Sequence, residues 1–397
     1  MSSLKLKGST SGDVTITVPA VAGTNTVTIP AVTGTLPLSN LDHVTNRQNA
    51  KPLIINGDMQ VAQRATSQTG QTGSHFPVDR FGFQMDTFGT WTSSQSTDVP
   101  TGKGFATSLK LDCTTANASL GAASFGLIHY RMEGQDLQLF KKGTASAEKV
   151  TVSFWVKSAK TGTYILELFE NNNARQISQT YTISSANTWE QKVLVFDADT
   201  TGTITNNNAV GFVLHFWFGA GSNYSSGTLS TTWTANTNAD RAVGVVNLAD
   251  STSNDWYMTG VQMEVGEYTL TTLPPFQHES FGDSLLRCQR YYEKTNPATE
   301  TPDQTDGAVS ANWGILNAAD SSTLVLSMIQ WKVDKRATPT MTFYATDGTS
   351  GNLNVNGTNR AVTASFVGET NLGRISVASG GTAGNYVAFM FEAAAEL

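Results

Sequence analysis

The sequence is short of cysteine, charge and long apolar runs, and each shortage excludes a class of protein. Cys113 and Cys288 are the only cysteines in 397 residues, too few for a disulfide framework or a zinc site. We expect both thiols to be buried and reduced, as suits a protein that folds in a cytoplasm. No uninterrupted apolar run reaches membrane-spanning length, and the first residues lack the apolar core of a secretion signal.

Charged residues make up only 14% of the chain, below the roughly 25% of ordinary soluble proteins. Thr, Ser, Asn and Gly supply much of the polarity instead. The net charge is −7 and the pI is about 5.3, which does not favour a polyanionic partner. We therefore expect neither nucleic-acid binding nor membrane insertion.

Residue types that catalysis uses are present but scattered. The five histidines form no HxxH or HExxH pattern, and there is no nucleophile elbow or Walker loop. Glu167 with Glu170, and Asp197 with Asp199, are acidic pairs of the type that glycosidases use. We interpret them as solvated surface acids, because the strand ends of any β protein carry such pairs. The sequence therefore predicts no enzyme, no catalytic residue and no metal site.

Five strand-like runs within residues 149–266 organise the chain. In the run 149–157 every second residue is apolar, and the run 210–218 repeats this alternation with larger side chains. Alternation with one apolar face is typical of antiparallel sheets that pack face to face. Shorter runs upstream bring the prediction to eight or nine strands within residues 53–264, a number that suits a jelly roll.

Residues 9–38 contain a short internal repeat. VTITVPAVAGT, starting at Val14, is echoed by VTIPAVTGT, starting at Val27. The prolines confine these runs to edge or terminal strand positions, and some thirty such residues cannot bury a core alone. We interpret residues 1–50 as a docking and oligomerisation segment that folds by association, and we expect a homotrimer. The alternative is a disordered tail.

The predicted fold class is all-β, in three parts. After the N-terminal β-repeat docking segment, residues 51–295 are predicted to form a jelly-roll β-sandwich. One short helix over residues 279–294, with apolar residues at helical spacing, is expected to close it. A linker with Pro, Thr and Asp then leads to a small C-terminal β-sandwich over residues 296–397, made of short strands and Gly-rich turns.

Several stretches resemble known families. LIINGDMQ at 53–60, KVTVSFWVKS at 149–158 and YMTGVQME at 257–264 resemble the opening, central and closing strands of calcium-dependent jelly-roll carbohydrate-binding modules. With VDR at 78–80 and CQRYYE at 288–293, the combination resembles bacteriophage virion proteins of the tail-fibre type more closely still. The N-terminal repeat and the final FEAAAEL are also similar to segments of phage fibre proteins.

This resemblance implies a structural virion appendage, a tail or head fibre assembled in the host cytoplasm. It would attach to other virion proteins through residues 1–50 and present its β domains to a glycan on the host surface. A stand-alone carbohydrate-binding module is one alternative. The other is a virion adaptor or head fibre without receptor binding.

The carbohydrate-binding modules usually carry acidic calcium ligands where Gln60 stands and near Gln262. Amides are poorer ligands than carboxylates for a hard cation. We therefore expect no cofactor, with calcium as the one candidate and a neutral contact as its replacement.

Trp155 and Trp217 each lie on the face opposite the apolar stripe of their strands, and Trp217 shares its face with His215. An indole ring offers the C–H face of a sugar a large apolar surface together with a polar handle. These three residues are therefore candidates for glycan binding. The alternative is burial under loops or under a neighbouring subunit, which is common for large aromatic residues.

The predicted C-terminal domain has loops rich in Gly, Asn and Thr, at 346–352, 355–359 and 379–385. Amides and hydroxyls match the needs of sugar hydroxyls, and loops on a rigid sheet vary without disturbing the core. Asn352, Asn359 and Asn385 are therefore further candidates for glycan binding. Plain turn chemistry is the alternative, because tight turns require Gly and Asn.

Asp79 and Arg80 stand between apolar residues and form a separate case. We predict a structural role for them, either as an ion pair that fixes a loop or as a contact across a subunit boundary.

Overall fold

The structure is a computed structural model, and it describes residues 3–7, 13–17, 51–295, 312–318, 323–326, 329–362, 367–368, 370, 372–374, 376–378 and 386–397. It divides into two compact units, Met1–Ala50 and Lys51–Leu397. In the first unit, β1 (Ser3–Lys7) and β2 (Asp13–Thr17) pair as antiparallel strands. The second copy of the N-terminal repeat lies outside the described residues.

The second unit begins with a β-sandwich. Its strands are β3 Ser67–Gln71, β4 His75–Val78, β5 Phe81–Asp86, β6 Thr90–Ser96, β7 Ser108–Thr115, β8 Phe125–Glu133, β9 Val150–Ser158, β10 Gly162–Glu170, β11 Arg175–Ile183, β12 Glu190–Phe196, β13 Val210–Ala220, β14 Thr234–Ala235 and β15 Asp255–Val265. Sheet A has the order β14-β11-β10-β13-β8-β5-β4, and sheet B has the order β12-β9-β15-β7-β6-β3. Every pairing is antiparallel. The all-β jelly-roll prediction is confirmed.

Alternation along β9 and β13 builds the core between the two sheets. The apolar residues of β9 at 150, 152, 154 and 156 are buried, and they share one cluster with the aromatic stripe of β13. Phe154 and Phe216 meet edge to face with ring centroids 5.1 Å apart, which joins the sheets directly. Full burial of such a side chain contributes about 1.5–3 kcal/mol. Cys113 and Cys288 are buried free thiols, as predicted.

The apolar run at 53–60 is predicted to be a strand but forms a turn. Asn56 and Met59 have positive φ values of 61° and 59°, a region that asparagine tolerates better than most residues. The Asn56 amide nitrogen donates to the carbonyl oxygens of Val61 and Asp79, at 2.9 Å each, and its side-chain oxygen accepts from Val61 N. These side-chain bonds replace the ladder that a strand would need.

This turn packs against the closing strand. Val261 N–H donates to Gly57 O at 2.9 Å, and a β-carbon on Gly57 would lie only 2.2 Å from Val261 O. The Asn-Gly and Gly-Val-Gln motifs that carry the family resemblance are therefore neighbours in space.

The predicted helix is shorter than its sequence pattern. Helix α1 covers Ser222–Ser225 and α2 covers Phe281–Gln289. Within the described ranges, 3-10 helices lie at Gly134–Phe140, Asn238–Asp240 and Leu248–Asp250. Tyr292, predicted to continue the helix, lies in strand β16 (Tyr292–Lys294), which pairs with a C-terminal strand. Among the described residues, neither α-helix has the length and apolarity of a membrane crossing.

Helix α2 packs on the turn segment at its C-terminal end. Cys288 and Tyr291 pack on Ile55 and Val61 of that segment. Phe281, placed on the apolar stripe from its spacing, is 56% exposed instead. Phe281 is the first residue of the helix, about two turns away from the buried contact of Cys288. That the helix closes the sandwich stays a prediction.

The C-terminal strands are β17 Asn312–Ala318, β18 Thr323–Leu326, β19 Ile329–Gln330, β20 Thr340–Tyr344, β21 Asn352–Val355, β22 Thr358–Ala361, β23 Val367–Gly368, β24 Leu372–Arg374, β25 Ser376–Ala378 and β26 Tyr386–Ala394. Strand β26 pairs with β16, β17, β20 and β21. The C-terminal strands have a hydrophobic core of their own, which contains Trp331, Phe343 and Phe391. Strand β16, which precedes residue 295, pairs with β26, which follows it, and both belong to one compact unit. The domain boundary near residue 295 therefore stays a prediction.

Candidate functional site

Part of the outer face of sheet A is covered by side chains from the segment 221–250. Trp217, Leu127 and Ile165 on the sheet form a buried cluster with Ala242 of that segment. Ser178 Oγ donates to Arg241 O at 3.1 Å, which ties the segment to β11. The part of the outer face that holds Trp217 is therefore closed to a large ligand.

Beneath this cover, Trp217 and His215 contact the buried carboxylate of Glu167. Trp217 is 1% exposed, and its indole N–H donates to Glu167 Oε2 at 3.0 Å. His215 Nδ1 lies 2.9 Å from the same oxygen, and Arg241 Nε donates to Glu167 Oε1 at 2.8 Å. Burial raises the pKa of Glu167, but Arg241 and the His215 bond outweigh it and hold this pKa at about 2. The Trp217 ring has no open face on which a sugar can stack.

The interpretation of the acidic pairs as solvated surface acids is wrong for three of the four. Glu167, Glu170 and Asp199 are buried. Lys142 Nζ lies 3.1 Å from Asp199 Oδ2 and 3.5 Å from Glu170 Oε2. The surrounding strands and loops bury these acids, and ion pairs make burial of their charge tolerable. Only Asp197 remains exposed, beside Lys149.

Sheet B carries an open cleft on its outer face, named the Trp155 cleft. It holds about 230 Å³ and is lined by Lys103, Phe105, Trp155, Gln191, Gly260, Gln262, Leu270, Leu273, Pro274, Pro275 and Phe276. Adjacent strands β12, β9 and β15 supply its floor, because Gln191, Trp155 and Thr259 lie in one register row. The half-buried indole of Trp155 is thus in a concave surface and not on a flat sheet.

A bulge in β15 shapes the aromatic wall of the cleft. The register of β15 against β9 shifts between Thr259 and Gln262, and Gly260 has a φ of 64°. A β-carbon there would lie 2.5 Å from the Phe105 ring, so glycine is required for this packing. Phe105 in turn meets Phe276 edge to face at 5.1 Å between centroids.

Polar groups of the cleft combine two amides with one charge. Gln191 Nε2 donates to Ser153 Oγ at 3.3 Å, and Gln262 Nε2 donates to Pro274 O at 3.0 Å. The Lys103 ammonium lies 5.3 Å from the centre of the Trp155 ring. Amides, an ammonium and an indole together can hold a polar ligand that has one apolar face.

A second aromatic pair, missed from the sequence, continues this face. Lys157 pairs with Asp98, and its Nζ lies 4.1 Å from the Tyr257 ring centre and 5.6 Å from that of Trp189. Trp189 Nε1 donates to Asp98 Oδ1 at 3.0 Å. Trp189 is two residues before Gln191, which pairs with Trp155, so the two indoles are diagonal neighbours on one face.

Gln60 and Gln262 both act as hydrogen-bond donors where the resembling modules have calcium ligands. Gln60 Nε2 donates to Glu279 O at 3.4 Å, and Gln262 Nε2 to Pro274 O. Carboxylates could not donate in this way. Within the described ranges, no three His, Cys, Asp or Glu side chains are grouped as metal ligands. The expectation that the chain binds no calcium stays a prediction from the sequence.

Asn352 and Asn359 both bond to the loop between β20 and β21. Asn352 Nδ2 donates to Ser350 O at 3.1 Å. Asn359 Nδ2 donates to Asp347 Oδ2 at 2.7 Å and to Thr349 Oγ1 at 3.1 Å. Asn385 and its loop lie outside the described residues. Glycan binding by these loops stays a prediction.

Asp79 and Arg80 form the turn of the β4–β5 hairpin and bond to other residues, not to each other. Asp79 Oδ1 accepts from Gln63 N at 2.8 Å, and burial raises the pKa of Asp79 to about 6 despite the nearby Arg64. The Arg80 guanidinium lies 3.4 Å from the centre of the Tyr291 ring. The VDR and CQRYYE motifs therefore meet in one buried cluster.

Neither a protein-family model nor a curated protein matches the chain. Among solved structures, it is similar to the enzymatically active domain of tailspike protein 4 of bacteriophage CBA120, with 14% identity and a TM-score of 0.28. That match covers 54% of this chain and 21% of the tailspike chain, about a fifth of its length. A module described as CBM4 matches with 11% identity and a TM-score of 0.27, covering 53% of this chain and 97% of its own. TmCBM61, solved with β-1,4-galactotriose, matches with 8% identity and a TM-score of 0.28, covering 54% and 99%.

Proposed function

We propose that this chain is a glycan-binding structural protein of a bacteriophage particle, a fibre or spike, and that the Trp155 cleft takes the saccharide. One observation carries the proposal: a half-buried indole in a concave surface, beside two amides and an ammonium. The C–H face of a sugar packs on an aromatic ring, and its hydroxyls need donors and acceptors such as the amides of Gln191 and Gln262. The cleft provides both within one monosaccharide's reach.

The proposed activity is recognition without cleavage. Hydrolysis of a glycosidic bond ordinarily uses two carboxyl groups that flank it. The lining of the Trp155 cleft contains no Asp or Glu. Glu167, Glu170 and Asp199 are held in buried ion pairs elsewhere. This arrangement supports binding and offers no acid and base at the cleft.

The virion role is supported by the motif resemblance and by the separate N-terminal unit. The motifs at 56–64, 78–80, 260–266 and 288–293 resemble those of phage fibre proteins. We propose that residues 1–50 attach the chain to other virion proteins and hold three copies together. In solution this predicts a trimer by light scattering, whereas a stand-alone binding module is expected to be monomeric.

The test of the cleft is a glycan array followed by calorimetry on the glycans that bind. Trp155→Ala should weaken binding at least about tenfold, equivalent to 1.4 kcal/mol, because the stacking surface is lost. Trp233→Ala is the matched control. Trp233 is also half-buried, but it stacks on Phe212 of sheet A, so its loss should leave glycan affinity unchanged.

Two results would contradict the assignment. Equal affinity of the wild type and Trp155→Ala removes the cleft from glycan binding. Conversion of a trimer to monomers by Trp155→Ala, without any glycan bound by the wild type, makes the Trp155 face a contact between subunits.

A further inference from the structure

Among the described residues that line the Trp155 cleft, Lys103 carries the one charged side chain, and it bears on which saccharides the cleft accepts. We infer that the cleft selects carboxylate-bearing saccharides, with the acid group against the Lys103 ammonium and the sugar ring against Trp155. This inference rests on the proposed function, since it names the substrate class of the same site.

Lys103 lies in a turn beside the cleft, and its side chain is exposed. Lys103 N–H donates to Pro100 O at 3.3 Å, and the flanking Gly102 and Gly104 have φ values of 71° and 85°. Gly104 also lies against His278, since a β-carbon there would be 3.3 Å from the imidazole. Two glycines in the left-handed region shape the turn that carries Lys103 beside the cleft.

Other lysines on this face already have acidic partners. Lys157 is paired with Asp98, and Lys110 Nζ lies 3.5 Å from Asp112 Oδ1. Lys103 makes no ion pair with any residue that the structure describes. The uncompensated positive charge at the cleft therefore comes from Lys103, in a chain whose net charge is −7. An anionic group on the ligand would supply the missing partner.

The two groups lie close enough to contact one sugar. The Lys103 ammonium lies over the Trp155 ring, 5.3 Å from its centre, and its side chain is exposed. A sugar ring that stacks on this face of the indole displaces the ammonium toward the edge of the ring, where it can meet a carboxylate of the ligand. Because the pair is solvent-exposed, the expected preference for the acidic ligand is modest, about two- to fivefold, and should fall as salt concentration rises.

The experiment uses a panel of oligosaccharides containing glucuronate or galacturonate, each paired with its own carboxyl-reduced form. Dissociation constants are measured for the wild type, Lys103→Gln, Lys103→Arg and Trp155→Ala, all in the full-length chain. The wild type and Lys103→Arg should prefer the acidic member of a pair about two- to fivefold. Lys103→Gln should bind both members with the affinity that the wild type shows for the neutral one. Trp155→Ala should lose both.

The outcomes separate this inference from the proposed function. Equal binding of both members by the wild type, or an equal loss for both in Lys103→Gln, overturns the selection of acidic sugars and leaves glycan binding intact. Absence of binding to either member, together with an empty glycan array, overturns both. Lys103 is exposed in its turn, so its variants are expected to fold.

Discussion

Arg80 and Glu396 form an ion pair of 2.6 Å that joins the β4–β5 hairpin turn to the end of the C-terminal strand region. The Arg80 side chain is 2% exposed. Its guanidinium also lies on the Tyr291 ring and donates to Arg131 O at 2.6 Å. One buried cation thus connects the sandwich, the residues after helix α2 and the chain near β26.

Removal of the carboxylate should be costly at this position. Glu396→Gln leaves a buried guanidinium without its counter-charge, and we expect a loss of about 3 kcal/mol in the free energy of unfolding. Urea titration followed by tryptophan fluorescence measures it. Glu148→Gln is the control, because its 2.6 Å pair with Lys141 is solvent-exposed and should contribute less than about 1 kcal/mol. Similar losses in both variants would contradict the prediction.

Asp79 should make stability depend on pH in an unusual direction. Burial raises its pKa from 3.8 to about 6, so the folded state binds this proton more tightly than the unfolded state. Stability from this group therefore increases as pH falls from 7 to 5, by about 1 kcal/mol. Asp79→Asn lacks the proton-binding step and should lack this gain.

The measurement is the difference between the two unfolding free energies at pH 7, 6 and 5. Burial lowers the pKa of His129 and of His215, which opposes the effect, since these imidazoles protonate more readily when unfolded. Both histidines are present in both proteins, so the difference isolates Asp79. Parallel pH profiles would falsify the assignment.

Trp217 and Trp155 should respond to substitution in opposite ways. Trp217→Phe removes a donor to the buried Glu167 and should lower the free energy of unfolding by about 2 kcal/mol. Glycan affinity should stay within about twofold of the wild type. Trp155→Ala should instead reduce affinity more than stability. Denaturant titration and calorimetry on the same samples test both, and a large loss of affinity in Trp217→Phe would contradict the separation of roles.

Removal of residues 1–50 should leave a folded protein, because residues 51–397 form a compact unit with their own cores. We expect the truncated chain to unfold at nearly the temperature of the full chain. By light scattering it should be monomeric, in contrast to the trimer that we propose for the full chain. Precipitation of the truncated chain would make the N-terminal unit part of the fold. A trimeric truncated chain would place the subunit contacts elsewhere.

The sandwich was predictable where the signal is local. Alternation along β9 and β13 identifies the buried faces without knowledge of any partner strand, because side chains alternate along each strand. The same reasoning gives a wrong prediction for residues 53–60. Their apolar side chains suit a strand, but the Asn56 side chain bonds to the backbone of Val61 and Asp79, and no alternation pattern encodes such a bond.

The candidate site was predictable only in part, because it depends on contacts between distant segments. Trp155 stands out by its position opposite an apolar stripe. Trp189 joins it only through the pairing of β12 with β9, which fixes the neighbours of each side chain. Trp217 has the same local pattern as Trp155, yet the path of the segment 221–250 decides that its ring is buried.

Segment 221–250 covers the part of sheet A that holds Trp217, whereas the Trp155 cleft opens on the outer face of sheet B. A flat target can engage the cleft only from the side of sheet B. In the proposed trimer, the three clefts are related by rotation about one axis. Simultaneous contacts raise the overall avidity without any gain in a single cleft. A modest intrinsic affinity at Trp155 is then compatible with firm attachment, and each individual contact remains free to dissociate.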